Sequence, residues 1–187
     1  HITNGRVATS NGRIVGLTKT IGTTMGSKVA TPGLGCRYTQ TLGGDLGEMK
    51  AGVRAPSHRS PIIGSREGKP FLAVGAAGGS RIPSSIVSVV SRVIDQNLSL
   101  YDAMSKPRVH PANGKIEIEV VETDHDKLNK VFDYTVDDTL HFTQKGHSVM
   151  LRSGKANFGR VYAIMREGND WVAVSDPDWQ GSSGAVK

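Results

Sequence analysis

The order of segments in the sequence predicts an α+β layered domain: strands lead, two helices follow, and strands return. Three observations carry this. Val15, Leu17 and Ile21 fall on alternate positions beside a Ser10-Asn11-Gly12 turn, interrupted at Lys19. Ile86, Val89, Val90, Val93 and Ile94 repeat at helical spacing. The later segments Lys115–Val121, Phe158–Met165 and Trp171–Val174 are again strand-like.

In chain order, Asn-Gly is the strongest short hairpin signal, so Arg6–Thr9 and Arg13–Ile21 are expected to pair antiparallel. Thr23 to Leu46 carries five glycines and Pro32 with little periodicity, which predicts a long loop with one short strand. Ser60–Ser65 and Phe71–Ala76 flank a polar turn, Arg66-Glu67-Gly68-Lys69-Pro70, and read as a strand pair. The helix that follows has Pro83 near its start and Ser84-Ser85 as caps. A shorter helix is expected over Leu100–Ser105, stopped by Pro107. Another helical segment is expected around Asp126–Phe132, and Arg152–Asn157 reads as a turn or loop. The whole, 1–187, reads as a single domain.

Composition excludes several classes. The chain of 187 residues is 37% apolar and 21% charged, an ordinary globular mixture with no apolar run long enough for a membrane span. One cysteine, Cys36, excludes an intrachain disulfide framework, and it is expected to be buried. His125, His141 and His147 lack metal-ligand spacing, so neither a metal nor a cofactor is expected. The net charge of +6 is scattered, and only 5% of residues are aromatic, which argues against a nucleic-acid partner. The charge fits a solvated basic surface or an acidic partner or substrate. Trp171 and Trp179 are read as packing residues.

The most informative stretch is Val74-Gly75-Ala76-Ala77-Gly78-Gly79-Ser80-Arg81-Ile82, where an apolar strand runs through small residues into a helix. Paired glycines there let backbone N–H groups face a ligand, and the helix N-terminus adds partial positive charge. A phosphate, a carboxylate or an oxyanion fits such a nest, and a plain tight turn fits it equally. A Walker loop is excluded, because no Lys-Ser/Thr follows the glycines.

Gly75–Ile82 resembles the Gly-x-Pro-Gly-Gly-Ser-Arg-Ile motif of the small subunit of the γ-glutamyltransferase (glutathione hydrolase) family. Gly26-Ser27-Lys28-Val29 with Thr31-Pro32-Gly33-Leu34-Gly35 is similar to the family's Phe-Gly-Ser-x-Val…Pro-Gly-Thr-Gly. Ser60-Pro61-Ile62-Ile63, Ile94-Asp95, Ala103, Pro107-Arg108-Val109-His110 and Ser175-Asp176-Pro177 match further family motifs in order. The resemblance implies an N-terminal-nucleophile hydrolase fold, an αββα sandwich of which this chain is the small-subunit part. It implies a large subunit cut from the same precursor, a small-molecule amide substrate, and a soluble protein of periplasmic or extracellular location. It also implies an acyl-enzyme on an N-terminal threonine, with Gly78 and Gly79 as the oxyanion hole and Thr20 bonding the nucleophile's hydroxyl.

The sequence departs from the family at two places. The family small subunit starts Thr-Thr-His-x-Ser, whereas this chain starts His1-Ile2-Thr3-Asn4. Taking Thr3 as nucleophile leaves the interval to Thr20 slightly short, and taking a residue ahead of His1 leaves it too long. The spacing favours Thr3, although His1-Ile2 block its amine. The family's α-amino-acid clamp is also thinned: Gly22, Thr41, Gly44 and Ser57-His58 stand at its positions. Ser57, His58 and Arg59 are then the substrate-binding candidates, with the two cations suited to a carboxylate-bearing acyl group. An amide hydrolase or acyltransferase with a non-standard acyl pocket is the expectation. A catalytically silent relative that binds a ligand or partner is the alternative.

Overall fold

The computed structural model describes residues 2–40, 50–52, 54, 56–120, 136–153, 158–177, 179 and 181–185. Its centre is a four-stranded antiparallel sheet in the order β3 (Ile62–Arg66), β4 (Lys69–Ala77), β8 (Arg160–Glu167), β9 (Asp170–Ser175). One face of β4 carries Leu72, Val74 and Ala76, opposite Met165, Ala163 and Val161 of β8. Helices α1 (Ile82–Ile94) and α2 (Leu100–Ser105) cover that face, and Ile82, Ile86, Val89, Val93, Leu100, Ala103 and Met104 complete the core. Full burial of each large aliphatic side chain contributes about 1.5–3 kcal/mol. The other face of β4 receives a two-stranded ribbon, β1 (Ile2–Ala8) and β2 (Ile14–Thr20), joined at the Asn-Gly turn. Helix, sheet and ribbon are therefore three successive layers, as an α+β sandwich requires. A smaller sheet, β5 (Val109–Ala112), β6 (Lys115–Val120) and β7 (Ser148–Ser153), flanks α1, with β6 and β7 parallel. Helix α3 (Val136–Gln144) precedes β7.

Several elements differ from the sequence expectation. β1 starts at Ile2 rather than Arg6, because the hairpin register runs from Ile2↔Thr20 to Ala8↔Ile14. The long loop contains one isolated bridge, Ala30↔Arg37, where a short strand was expected. The N-cap of α1 is Arg81, and Ser84 and Ser85 lie inside the helix with their hydroxyls engaged elsewhere. Ile94 is exposed, since the buried stripe runs through Ile82, Ile86, Val89 and Val93. β5 carries Pro111, which hides it as a strand; as an edge strand it tolerates the missing donor. β7 extends through Arg152 and Ser153, where a loop was expected, because pairing with β6 carries the strand on past its apolar run. The expected helix around Asp126–Phe132 and the clamp positions Thr41 and Gly44 lie outside the described residues. Cys36 is exposed rather than buried, since its loop lies outside the core. Trp179 is 42% exposed and stacks under the Arg160 guanidinium. Among the described residues no helix is long and apolar enough to cross a membrane.

Candidate active site

β4 ends at Ala77, and the chain turns through Gly78 (φ 150°) and Gly79 (φ 61°) into one turn of 3-10 helix, Gly79–Arg81, ahead of α1. Both φ values lie where side chains are disfavoured, so glycine is needed at each. The two glycines have different surroundings. A Cβ at Gly78 would stand 2.7 Å from Gly159 Cα, whereas one at Gly79 would meet nothing within 4 Å. Gly78 is therefore a packing glycine and Gly79 borders open space. Backbone N–H groups at this end of the helix precede its first internal acceptors and carry the positive end of its dipole.

Gly159, the residue packed on Gly78, is held from three sides. Its N–H donates to Ser85 Oγ (3.0 Å), and its carbonyl accepts from Arg108 Nη1 (3.1 Å). Arg108 is 2% exposed; its Nη2 lies 2.9 Å from Asp176 Oδ2 and donates to the Met104 carbonyl at 2.8 Å. Asp176 Oδ2 also accepts from the Val161 N–H at 2.8 Å, and Glu119 Oε2 accepts from the Arg108 N–H at 3.0 Å. Sequence reasoning used Pro107-Arg108 and Ser175-Asp176-Pro177 only as markers. In the fold they form one buried clamp that holds Gly159 beside Gly78.

The ribbon brings the two threonine candidates to different faces. Thr20 pairs with Ile2 on the inner face, and its Oγ1 accepts from the Gly22 N–H at 3.0 Å. Thr3 pairs with Lys19 and is exposed on the outer face. The structure does not bring Thr3 and Thr20 together. Ser57 and His58 are exposed and Arg59 is half-buried, with its N–H on Ser57 Oγ at 3.4 Å. Among the described residues no hydrogen bond or ion pair links these three to the glycine junction.

Sequence reasoning missed Arg6. On the inner face of the ribbon its Nη1 donates to the Leu17 carbonyl (2.8 Å) and the Gly5 carbonyl (2.6 Å). Its Nη2 fills the space a side chain at Gly75 would need, 1.3 Å from that Cβ position. Burial pushes its pKa down. A lone glycine within the apolar β4 run was the available signal, since such glycines mark a close approach.

A second polar cluster starts at Arg81. Glu117 on β6 is 4% exposed and lies between two guanidinium groups. Arg81 donates to Oε2 from Nε (3.3 Å) and Nη2 (2.8 Å), and Arg152 donates to Oε1 from Nε (3.1 Å) and Nη2 (2.8 Å). Nearby, Ser84 Oγ and His110 Nδ1 are 2.9 Å apart. Hydrogen bonds from Arg81 and then Arg152 hold Glu117 below its ordinary 4.5, against burial. Burial, aided by the Arg81 charge, pushes His110 below its ordinary 6.5, with Glu117 opposing. In both cases the folded protein binds fewer protons than the unfolded chain over the shifted range. Stability is therefore expected to fall on acidification, first below pH 6.5 and again below 4.5. Urea midpoints across that range measure it, and Glu117→Gln should flatten the lower limb and, by removing the charge that opposes the His110 shift, steepen the upper one.

Among the described residues no group of three His, Cys, Asp or Glu side chains is placed to hold a metal ion. A family model described as gamma-glutamyltranspeptidase matches residues 2–186. The glutathione hydrolase proenzyme of Pseudomonas aeruginosa is 30% identical over 173 residues, covering 84% of this chain and 27% of its own length. The ACY 1 acylase proenzyme of Pseudomonas sp. (strain V22) is 31% identical over 125 residues, 64% of this chain and 22% of its own. The chain thus spans about a quarter of the length of these curated relatives. The solved gamma-glutamyltranspeptidase of Pseudomonas nitroreducens complexed with L-DON superposes with a TM-score of 0.75 at 26% identity, covering 99% of this chain and 100% of that one. The Bacillus anthracis transpeptidase CapD shares the fold, with a TM-score of 0.73 at 19% identity over 98% of this chain and 99% of that one.

Proposed function

The chain belongs to the gamma-glutamyltranspeptidase family, and from that premise we propose that it is the small-subunit part of an amide hydrolase or acyltransferase working through a threonine acyl-enzyme. The observation that carries the reading is the Gly78–Gly79 junction, with its bend, its open side at Gly79 and the helix N-terminus behind it. Donors held there stabilise the oxyanion that develops when a hydroxyl attacks an amide carbonyl. The amine leaves, and water or a second amine takes the acyl group from the ester. The nucleophile's own α-amino group, with an ordinary pKa of about 8, serves as base.

The face of Thr20 governs which residue attacks. Thr3, the sequence candidate, points away from it, whereas Ile2 and Thr20 share the inner face. The β1 alternation, if it continues ahead of Ile2, gives that same face to a residue immediately ahead of His1. That parity favours a nucleophile ahead of His1 over Thr3. Ile2 opposite Thr20 favours the second reading, a silent relative that binds a ligand or partner. Peptide mass mapping after incubation with an acyl anilide separates the three: an adduct ahead of His1, on Thr3, or none.

The outer face of the ribbon supports a partner. Val7, Val15 and Leu17 are 61%, 60% and 60% exposed there, and the proenzyme relatives are roughly three times as long as this chain. A large subunit from the same precursor would cover that face and supply the second helix layer of the αββα sandwich. A periplasmic or extracellular location goes with the same reading.

The acyl pocket lacks partners for an α-amino acid head at Gly22 and, in the sequence, at Thr41 and Gly44. Removing a buried carboxylate partner of an ammonium costs on the order of 2–5 kcal/mol. A glutaryl anilide, which lacks only the α-amino group, is therefore expected to show the higher kcat/KM, with His58 and Arg59 as its anion contacts. A tenfold preference for the γ-glutamyl anilide, about 1.4 kcal/mol, would overturn this pocket.

A further inference from the structure

We propose that the cleft between the head of α1 and the β5–β6–β7 sheet, adjoining the glycine junction at Ser80 and Arg81, is a binding site for a small organic carboxylate. Its volume is about 640 Å³, within the range of small-molecule pockets. Arg81, Ser84, His110, Asn113, Glu117 and Arg152 line it. Glu117 fixes the chemistry. It is buried and cannot approach a ligand freely, yet it engages each arginine through Nε and Nη2 only. The Nη1 group of each guanidinium has no partner among the described residues.

Two arginines against one carboxylate leave the cluster a net positive charge of one, which a monoanionic group neutralises. Arg81 and Arg152 are 33% and 44% exposed at the side chain, so their outer edges remain open to solvent. A salt-bridged guanidinium loses little further side-chain freedom when it binds a second anion. Planar N–H pairs match a carboxylate better than a point charge does. The Ser84–His110 pair and Asn113 add polar contacts for the rest of the ligand. The acyl-transfer reading uses the backbone of this turn and none of the side chains that line the cleft, and the inference does not rest on it.

The test uses the assembled protein, with the rest of its chain, and the monoanion butyrate as probe in saturation-transfer NMR with titration, run in an Arg59→Gln background so that the anion contact proposed for the acyl pocket is absent. Arg152→Gln removes one fork from a half-exposed position and is expected to weaken butyrate by about tenfold or more. Arg152→Lys keeps the charge without the fork and should recover only part of that loss. Arg13→Gln makes the same charge change at an exposed site in the hairpin and should leave affinity within about twofold. Thermal melts confirm folding of each variant. Butyrate affinity unchanged on adding Arg152→Gln, equal losses with Arg152→Gln and Arg13→Gln, or no binding in the Arg59→Gln background at 10 mM, on the order of weak-ligand affinities, would each overturn the site.

Discussion

Gly79→Val is expected to lower kcat for amide turnover by about 10²-fold or more while the protein still melts cooperatively. The space around the position makes this informative. A side chain at Gly79 meets nothing within 4 Å, so the fold has room for it. The cost lies in the backbone, because φ 61° disfavours a β-branched residue, by about 1–2 kcal/mol. Relief of that strain is expected to tilt the adjoining peptide planes away from the proposed oxyanion position. Gly33 provides the matched control. Its φ is 78° and its Cβ position is also open. Gly33→Val should cost similar stability and leave turnover intact. Equal turnover in Gly79→Val and wild type would remove the oxyanion role. Gly78→Val is the wrong variant for the purpose, because its Cβ would collide with Gly159 and the loss of fold would mask any chemistry.

The layered architecture was legible because the apolar periods are strong. The Asn-Gly hairpin, the β3–β4 pair and the α1 stripe all report local packing that the chain repeats every second residue or every helical turn. What stayed hidden depends on distant partners. β5 is a strand only because β6 lies beside it, and Pro111 disguises it. The outward direction of Thr3 follows from the register with Lys19, which a one-residue slip would reverse. Arg6 looks like a surface cation until Gly75 and Gly16 are seen to leave space for it. The glycine motif was readable as a junction, but its dependence on Gly159, far along the chain, was not.

That dependence gives the largest stability effect expected. Asp176→Ala leaves the Arg108 guanidinium, 3% exposed at the side chain, without its closest carboxylate. Breaking a buried pair from one side costs about 3–5 kcal/mol, since the remaining charge cannot reach water. Glu119 stands 3.8 Å from Nη1 and compensates only in part. Asp176→Asn retains an acceptor for the Val161 N–H and should lose less. Urea unfolding measures both, with the midpoint shifting at constant slope. A loss for Asp176→Ala within about 1 kcal/mol, the range of an exposed pair, would mean that the clamp contributes little. If the clamp does set the junction, the effect reaches beyond stability. Arg108 holds the Gly159 carbonyl, and Gly159 is the surface against which Gly78 turns. In Asp176→Asn, still folded at working temperature, kcat should then fall further than KM changes, because the donors at Gly79 lose their fixed direction while the outer pocket residues are untouched. A variant that loses stability but keeps kcat would confine the clamp to folding.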